Sequence, residues 1–279
     1  MEGSIKRLMK KWYLRLCHFK KKIRENDLSI YASAMAFFLL LSFIPTFLLI
    51  FSLLPFINVT AGDILDVMKR IFPQDLYDIT EKMVAQIYAR SAKKASFAGL
   101  FSLWSSGKGM MAFIQSLNKI HGRKEERGYI KLRLMASSYT LLMLLIFMIS
   151  IYLKMFGSLL YRYVTSSVMD ILSLEVLTQG KALFLFLFLF LLCLSCYTFL
   201  PSDKVSMKSQ IPGAFLAVVL WFFFSFGFSF YVRRVQEFTA YGTFGGILLF
   251  LLWLYFCSFI LLLGSLLNQE IVIIKKIKL

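Results

Sequence analysis

The residue with the clearest chemical potential is a lysine inside a segment that otherwise resembles a membrane span. Lys108 lies in the middle of FSLWSSGKGMMAFIQSLN, where inserting a cation into lipid costs about 2.5–3.5 kcal/mol. No acidic residue occupies the middle of any apolar segment. An unmatched lysine that faces a cavity would attract a phosphate or carboxylate. The alternatives are pairing with carbonyls and hydroxyls, or snorkelling to the interface.

Other polar residues in apolar segments are candidates for the same path. A proline inside a span frees the carbonyl four residues earlier, which then needs a partner. Pro45 does this to Leu41, and Ser42 and Thr46 are near enough in sequence to help. A structural kink and simple helix packing are the alternatives. The predicted path comprises Lys108, Ser102, Ser105, Gln115, Asn118, Ser42, Pro45, Tyr241 and Asn268.

Catalytic and metal-binding patterns are absent from the sequence. His18 and His121 are the only histidines, and there is no H-E-x-x-H motif, P-loop or pair of intramembrane aspartates. Cys193 and Cys196 form a C-x-x-C inside an apolar run, where packing explains them better than redox or metal chemistry. The sequence therefore predicts no enzyme, no cofactor and no metal site.

Composition places the chain in a membrane. Its 279 residues are 59% hydrophobic and 17% charged, whereas a soluble domain has about 45–50% and 25%. The net charge of +17 comes from cations beside apolar segments, which indicates topology and anionic lipid rather than nucleic acid.

Hydropathy and charge together predict an all-α bundle of six transmembrane helices. Cytoplasmic segments would hold 20 Lys and Arg against 10 outside, so both termini are predicted in the cytoplasm. Only the second span, which carries Lys108, is weakly apolar. The spans are 30–57, 96–117, 131–156, 181–200, 211–232 and 244–271, which make up a membrane domain of residues 30–271.

Three segments flank or interrupt the spans. Residues 1–29 are predicted to form a basic amphipathic helix on the inner leaflet, the outer loop 58–95 has two short helical patterns, and 272–279 is a basic tail. The predicted lipid-surface residues are Trp12, Lys10, Lys11, Lys20, Lys21 and Lys22.

Small residues in the last two spans predict close helix contacts, because they let two backbones approach. Those assigned to packing are Gly213, Ala217, Gly242, Gly245, Gly246 and Gly264.

The ordered motifs resemble the YihY/BrkB family of bacterial inner-membrane proteins over about residues 25–271. The resemblance rests on YASAMAFFLLLSFIPTFLL, LFSLWSSGKGMMAFIQSLNKI, the Leu-Pro pair at 200–201, IPGAFLAVVLW and YGTFGGILLFLLWLYFCSFILLLGSLLN. It implies six spans and a role in virulence, envelope integrity or export of lipid-like solutes. Some members are labelled ribonuclease BN, a label that these residues do not support.

The family pattern maps onto Ser42, Pro45, Trp104, Lys108, Asn118, Pro212, Gly213, Tyr241, Gly242, Gly264 and Asn268. One position departs from it. Leu266 stands where the family's last span often has glutamate. Any mechanism that pairs that acid with the cation of the second span is therefore in doubt here.

Two functions remain open from the sequence. The first is an inner-membrane transporter or flippase-like exporter of an anionic or amphiphilic solute, and the second is a scaffold for envelope partners. Anionic inner-leaflet lipids and an unidentified solute are the predicted partners, with no nucleic acid. An oligomer is compatible with the sequence.

Overall fold

The computed structural model describes residues 17–53, 92–146, 174–203, 205–235 and 242–277. These ranges are helical apart from short turns, and they contain no strand. The helices are α1 (Cys17–Glu25), α2 (Leu28–Leu53), α3 (Ala92–Ile120), α4 (Tyr129–Ile146), α5 (Leu174–Phe199), α6 (Met207–Val235) and α7 (Gly242–Ile277). The all-helical prediction is confirmed for these residues.

Each of the helices α2 to α7 overlaps one of the six segments that hydropathy marks as spans, but the number of spans is not confirmed. Three described stretches are long and apolar enough to cross a membrane: Tyr129–Ile146, Met207–Val232 and Gly245–Ile274. A fourth exists if α1 and Leu28–Phe43, which are bent by 53°, make one span. The apolar part of α5, Leu185–Phe199, is shorter. The number of six transmembrane spans therefore stays a prediction.

Large apolar side chains on the outer faces of the helices suit a lipid environment. Phe223 and Phe226 of α6 are 73% and 82% exposed, and Leu191 of α5 is 60% exposed. A soluble monomer rarely exposes contiguous apolar surface on this scale. The outward surface of these helices is therefore apolar, as contact with lipid requires.

The chain divides into two compact units. The larger unit is Met1–Phe37, Ala112–Arg127 and Thr165–Leu279, and the smaller unit is Phe38–Met111 and Gly128–Val164. In the larger unit α6 packs against both α5 and α7, with Phe186 of α5 on Phe215 and Phe222, and Phe224 of α6 on Phe256. In the smaller unit α3 packs closely on α2 and on α4.

The joint between α1 and α2 is a tight turn built by two polar residues. Asp27 has φ of 50°, a left-handed conformation that Asp tolerates better than most residues. The Asn26 amide donates to the Lys22 carbonyl at 2.9 Å, and the Asp27 carbonyl accepts from Ile30 and Tyr31 in the first turn of α2. The turn lets the basic helix α1 leave the direction of α2.

Several predicted elements lie outside the described residues. These are residues 1–16 of the amphipathic helix, the short helices of the outer loop up to residue 91, and the ends of two predicted spans at 54–57 and 147–156. The predicted loop 58–95 is shorter at its far end, because α3 begins at Ala92.

Candidate functional site

Helix α3 presents two faces of different character. Phe101, Trp104 and Lys108 recur at helical spacing and are exposed, whereas Ser102 and Ser106 on the opposite side are 4% and 3% exposed. Ser105 is half-buried. The residues predicted to share one path with Lys108 are therefore divided between two faces, and Lys108 itself points away from the buried serines.

A second cation lies beside this exposed face. Arg133 of α4 is 1% exposed and donates a hydrogen bond from its guanidinium to the carbonyl of Trp104. Its Cζ also lies 5.4 Å from the centre of a Trp104 ring, a cation–π contact. Trp104 is one helical turn from Lys108. Arg133, Trp104 and Lys108 therefore form a cationic and aromatic cluster within the smaller unit.

Sequence reasoning missed Arg133 because it counted this residue in a basic cytoplasmic loop, 118–133. The signal was available, since Leu132 and Leu134 flank it inside a helical apolar pattern. An arginine embedded in such a pattern deserves the same attention as Lys108.

Close packing holds α3 between α2 and α4. A Cβ added to Gly107 would lie 2.8 Å from the Ser137 hydroxyl, and one added to Gly109 would lie 2.6 Å from the Leu39 side chain. Only glycine fits such approaches without displacing a neighbour. These glycines fix the depth of Lys108 relative to the flanking helices.

Pro45 interrupts the hydrogen bonds of α2 without ending the helix, which continues to Leu53. The Ser42 hydroxyl donates to the Leu39 carbonyl at 2.9 Å, and Thr46 donates to the Ser42 carbonyl at 2.7 Å. Neither hydroxyl serves the Leu41 carbonyl that proline frees. Ser42 is buried next to Gly109 of α3, so it belongs to a helix contact.

Asn118, at the end of α3, is the centre of a polar network in the larger unit. It is 1% exposed, donates to Glu125 at 2.5 Å and accepts from the Ser202 backbone at 2.8 Å. Glu125 in turn accepts from Arg127 Nε at 2.6 Å and from a second guanidinium nitrogen at 2.7 Å. Hydrogen bonding to Arg127 lowers the pKa of Glu125.

The same loop makes two further links. Arg123 forms an ion pair with Asp203 at 2.9 Å, and His121 Nε2 lies 3.3 Å from the Ser265 hydroxyl of α7. Burial, with a smaller contribution from the charge of Arg123, lowers the pKa of His121 from 6.5 to about 4. His121 is therefore neutral at physiological pH, and it contacts α7 as a polar packing residue.

Asn268 of α7 uses its whole amide to hold α6. Its oxygen accepts from the Gly213 backbone at 2.6 Å, and its nitrogen donates to the Gln210 carbonyl at 3.1 Å and side chain at 2.9 Å. Asn268 and Gln210 are both fully buried. With its donors and acceptor engaged, Asn268 stabilises a helix crossing and has little capacity left to bind a solute.

Gly213 and Gly264 form the closest point of that crossing. A Cβ on Gly213 would collide with the Gly264 carbonyl, and one on Gly264 would lie 2.6 Å from the Gly213 carbonyl and 2.7 Å from the Tyr197 hydroxyl. Tyr197 donates to the Leu261 carbonyl at 2.6 Å, and Ala217 is 1% exposed nearby. Gly213, Ala217 and Gly264, which the sequence assigns to packing, all lie at this crossing.

The other predicted positions are spread over the surface or lie outside the described residues. Gly246 is exposed with open space around it, Gly245 is half-buried and Gln115 is exposed. The backbone of Gly242 begins α7. Lys20 and Lys21 are exposed on α1 and Lys22 is half-buried. Tyr241, Trp12, Lys10 and Lys11 are outside the described residues.

Within the described ranges, no group of three or more histidine, cysteine, aspartate or glutamate side chains is placed to hold a metal ion. The cysteines of the C-x-x-C, Cys193 and Cys196, are buried in α5 as free thiols.

Comparison with known proteins identifies the relatives. The chain is 28% identical over 240 residues to YfkH of Bacillus subtilis, whose name describes it as ribonuclease-like, covering 85% of this chain and 87% of that one. It is 26% identical over 254 residues to the UPF0761 membrane protein NTHI0384 of Haemophilus influenzae, covering 88% and 91%. A UPF0761 membrane protein of Coxiella burnetii is 22% identical over 277 residues, covering 96% of both chains. No solved structure is significantly similar.

The decisive match is to a family model. The model described as virulence factor BrkB matches residues 19–276, which run from α1 to the end of α7. Several relatives are named as membrane proteins, which agrees with the apolar helices described above. This chain is a membrane protein of the virulence factor BrkB family.

Proposed function

We propose that this protein crosses the bacterial inner membrane six times, with both termini in the cytoplasm, and moves an anionic or amphiphilic solute in support of the cell envelope. The observation that carries the proposal is the character of α3. It is absent from the described helices that are apolar enough to span a membrane, yet it packs between α2 and α4. A polar helix inside an apolar bundle supplies the groups that a solute path needs.

The exposed face of α3 supports an anionic solute. Lys108 and the neighbouring Arg133 provide positive charge, and Trp104 provides an apolar surface beside them. An amphiphile with an anionic head and a hydrophobic tail matches both features. A small hydrophilic anion would match only the first.

The test is transport by the full chain in liposomes. Fluorescent phosphatidylglycerol or another labelled anionic lipid is supplied in one leaflet, and its movement is followed by quenching from outside. We expect Lys108→Met to reduce the rate about tenfold or more, because a charge-assisted contact is lost. The matched control is Lys119→Met, an exposed lysine near the end of the same helix, which should keep the wild-type rate. Equal rates for wild type and Lys108→Met would contradict the role of Lys108.

The alternative function is a scaffold for envelope partners. It is favoured by the self-contained hydrogen bonding of Asn118 and Asn268, which makes one end of the larger unit a rigid platform. No movement of any lipid or anion above protein-free liposomes, for a chain with normal thermal stability, would favour this alternative.

The proposal assigns no enzymatic activity to this chain. The ribonuclease-like name belongs to YfkH, and the proposed path residues include no nucleophile and base pair. Incubation with RNA and magnesium is expected to give no more cleavage than buffer alone.

A further inference from the structure

Two buried polar side chains of α4 have atoms without a partner. Among the described residues, Nε of Arg133 and the hydroxyl of Ser137 make no hydrogen bond, although these residues are only 1% and 5% exposed. They are four residues apart on one helix and therefore share a face. Both face α3, since Arg133 contacts Trp104 and Ser137 lies against Gly107. Buried donors are normally satisfied, so this pair is an exception that needs a cause.

Among its described residues, the smaller unit contains no carboxylate that could serve as a counter-ion. The described residues of the smaller unit, 38–53, 92–111 and 128–146, contain no aspartate or glutamate. They do contain several cations besides Arg133, namely Lys93, Lys94, Lys108 and Lys131. A buried guanidinium is normally paired with a carboxylate. The charged residues in the described part of the unit are therefore all cations, and they include a buried, incompletely bonded arginine.

We propose that Arg133 and Ser137 bind the phosphate of an anionic membrane lipid. A guanidinium fork and a hydroxyl donor suit the oxygens of a phosphate, and Lys108 adds long-range attraction from the neighbouring turn of α3. Trp104 covers the guanidinium, with its ring centre 5.4 Å from Cζ. Because Trp104 is 39% exposed, rotation of its side chain can uncover Arg133. The phosphate reaches the Ser137 hydroxyl by separating α3 from α4 at Gly107, where the two helices are in close contact.

The surroundings favour a lipid over free phosphate. Phe101 and Leu134, on the two helices that form the site, are 67% and 54% exposed and offer apolar surface for acyl chains. Arg133 is four residues from the start of α4, or roughly 6 Å along the helix axis. An arginine about one turn inside the end of an apolar helix is within side-chain reach of the membrane interface. The site therefore lies where a phosphate and a hydrocarbon tail can both be held.

Binding at this site does not depend on transport. Where the proposed function holds, the site names its solute class as a phosphate-bearing amphiphile. Where transport fails and binding persists, the lipid is a bound structural partner and only the proposed function is lost. The two hypotheses are thus separated by measuring binding without any gradient.

The experiment measures lipid binding by the purified full chain in detergent. Native mass spectrometry and thermal unfolding are recorded with phosphatidylglycerol, with zwitterionic phosphatidylcholine, and with inorganic phosphate. The variants are Arg133→Gln and Ser137→Ala, and Lys131→Gln is the matched control because Lys131 is an exposed cation on the same helix. We expect preferential binding of phosphatidylglycerol that falls about tenfold in Arg133→Gln and several-fold in Ser137→Ala, with no change in Lys131→Gln.

Each other outcome overturns the proposal in a defined way. Equal phosphatidylglycerol binding by wild type and Arg133→Gln makes Arg133 purely structural. Equal binding of the two lipids removes the anionic preference, and equal stabilisation by inorganic phosphate replaces the lipid by a free anion. If Arg133→Gln does not fold, Ser137→Ala decides, because removing one hydroxyl leaves the arginine in place.

Discussion

At the scale of single residues, two glycines and one asparagine determine how α6 meets α7. The absence of side chains at Gly213 and Gly264 brings two backbones into contact, and Asn268 then satisfies the polar groups at that point. Pro212 precedes Gly213 and has no N–H to donate to the Lys208 carbonyl, whereas Asn268 bonds the neighbouring Gly213 N–H and Gln210 carbonyl. The family motif residues here are explained by packing and hydrogen bonding.

Gly213→Ala should destabilise the protein by about 2 kcal/mol or more, because an added methyl group at a filled contact forces the helices apart. The matched control is Gly227→Ala in the same helix, where a new Cβ meets nothing within 4 Å. That change should be neutral or stabilise by about 0.5–1 kcal/mol. Thermal unfolding in detergent measures both, and similar midpoints for the two variants would contradict the close crossing.

His121 should make stability depend on pH below neutrality. Its pKa is about 4 when folded against 6.5 for the ordinary group, so between these values the unfolded chain binds more protons. Stability is therefore full above pH 6.5 and is lost as pH falls towards 4, by about 2 kcal/mol at pH 5.

The measurement compares unfolding at pH 7 and pH 5 for wild type and His121→Gln. The variant lacks the titrating ring, so the decrease in its free energy of unfolding between pH 7 and pH 5 should be smaller by up to about 2 kcal/mol. Glu125 does not account for this loss of stability. Its pKa is lowered on folding, so its effect on stability changes only when the pH falls below the ordinary carboxyl pKa of 4.5. An equal loss in both proteins would remove His121 as the cause.

At the scale of elements, the loop that connects α3 to α4 is held in place by hydrogen bonds. Arg127 joins Glu125 to the Leu200 carbonyl at 3.2 Å, and Asn118 joins Glu125 to Ser202. A short polar loop thereby fastens the end of α3 to the segment between α5 and α6. Sequence alone marked this loop only as a basic cytoplasmic connection.

Glu125→Gln should lower the free energy of unfolding by about 1–3 kcal/mol, because charge-assisted bonds to Arg127 and the bond to Asn118 are lost or weakened in a half-buried site. The adjacent Glu126 is exposed, and Glu126→Gln should change stability by about 0.5 kcal/mol or less. Thermal unfolding of the pair, with cleavage by a protease in the 121–128 loop as a second readout, checks the difference. Equal stability of the two variants would show that the hydrogen bonds of Glu125 do not contribute to the stability of the fold.

At the scale of the whole molecule, contacts within the larger unit gather four separated segments at one end. Asn118 and Arg123 contact residues 202–203, Asn268 contacts Gln210, and His18 of α1 lies 3.3 Å from Glu270 of α7. These are the segments that charge counting assigns to the cytoplasm. Their contacts within one unit support the proposed topology, in which all four lie on one side of the membrane.

Reporter fusions test this arrangement. Green fluorescent protein becomes fluorescent only when it folds in the cytoplasm. Fused after Glu126, after Asp203 and after Ile277, which the proposed topology places there, it should be fluorescent in all three cases. Alkaline phosphatase at the same positions should be inactive. A position that gives the opposite pair of signals would separate segments that the structure places together.

Composition and hydropathy predicted a helical membrane protein and approximately located the described helices. Apolar run length and period depend on local composition, so α2 to α7 fall on the predicted segments. Small residues marked the last two spans for close contacts, and the structure places Gly213 against Gly264 while Gly246 has open space around it.

Tertiary structure decided which polar residues face each other. It engaged the Asn268 amide in the contact with α6 and buried Arg133 against Trp104, whereas the separation of Lys108 from Ser102 and Ser106 follows from their spacing on one helix. The physical reason is that the direction of a helix face depends on partners far away in sequence. Residue type and spacing cannot specify those partners.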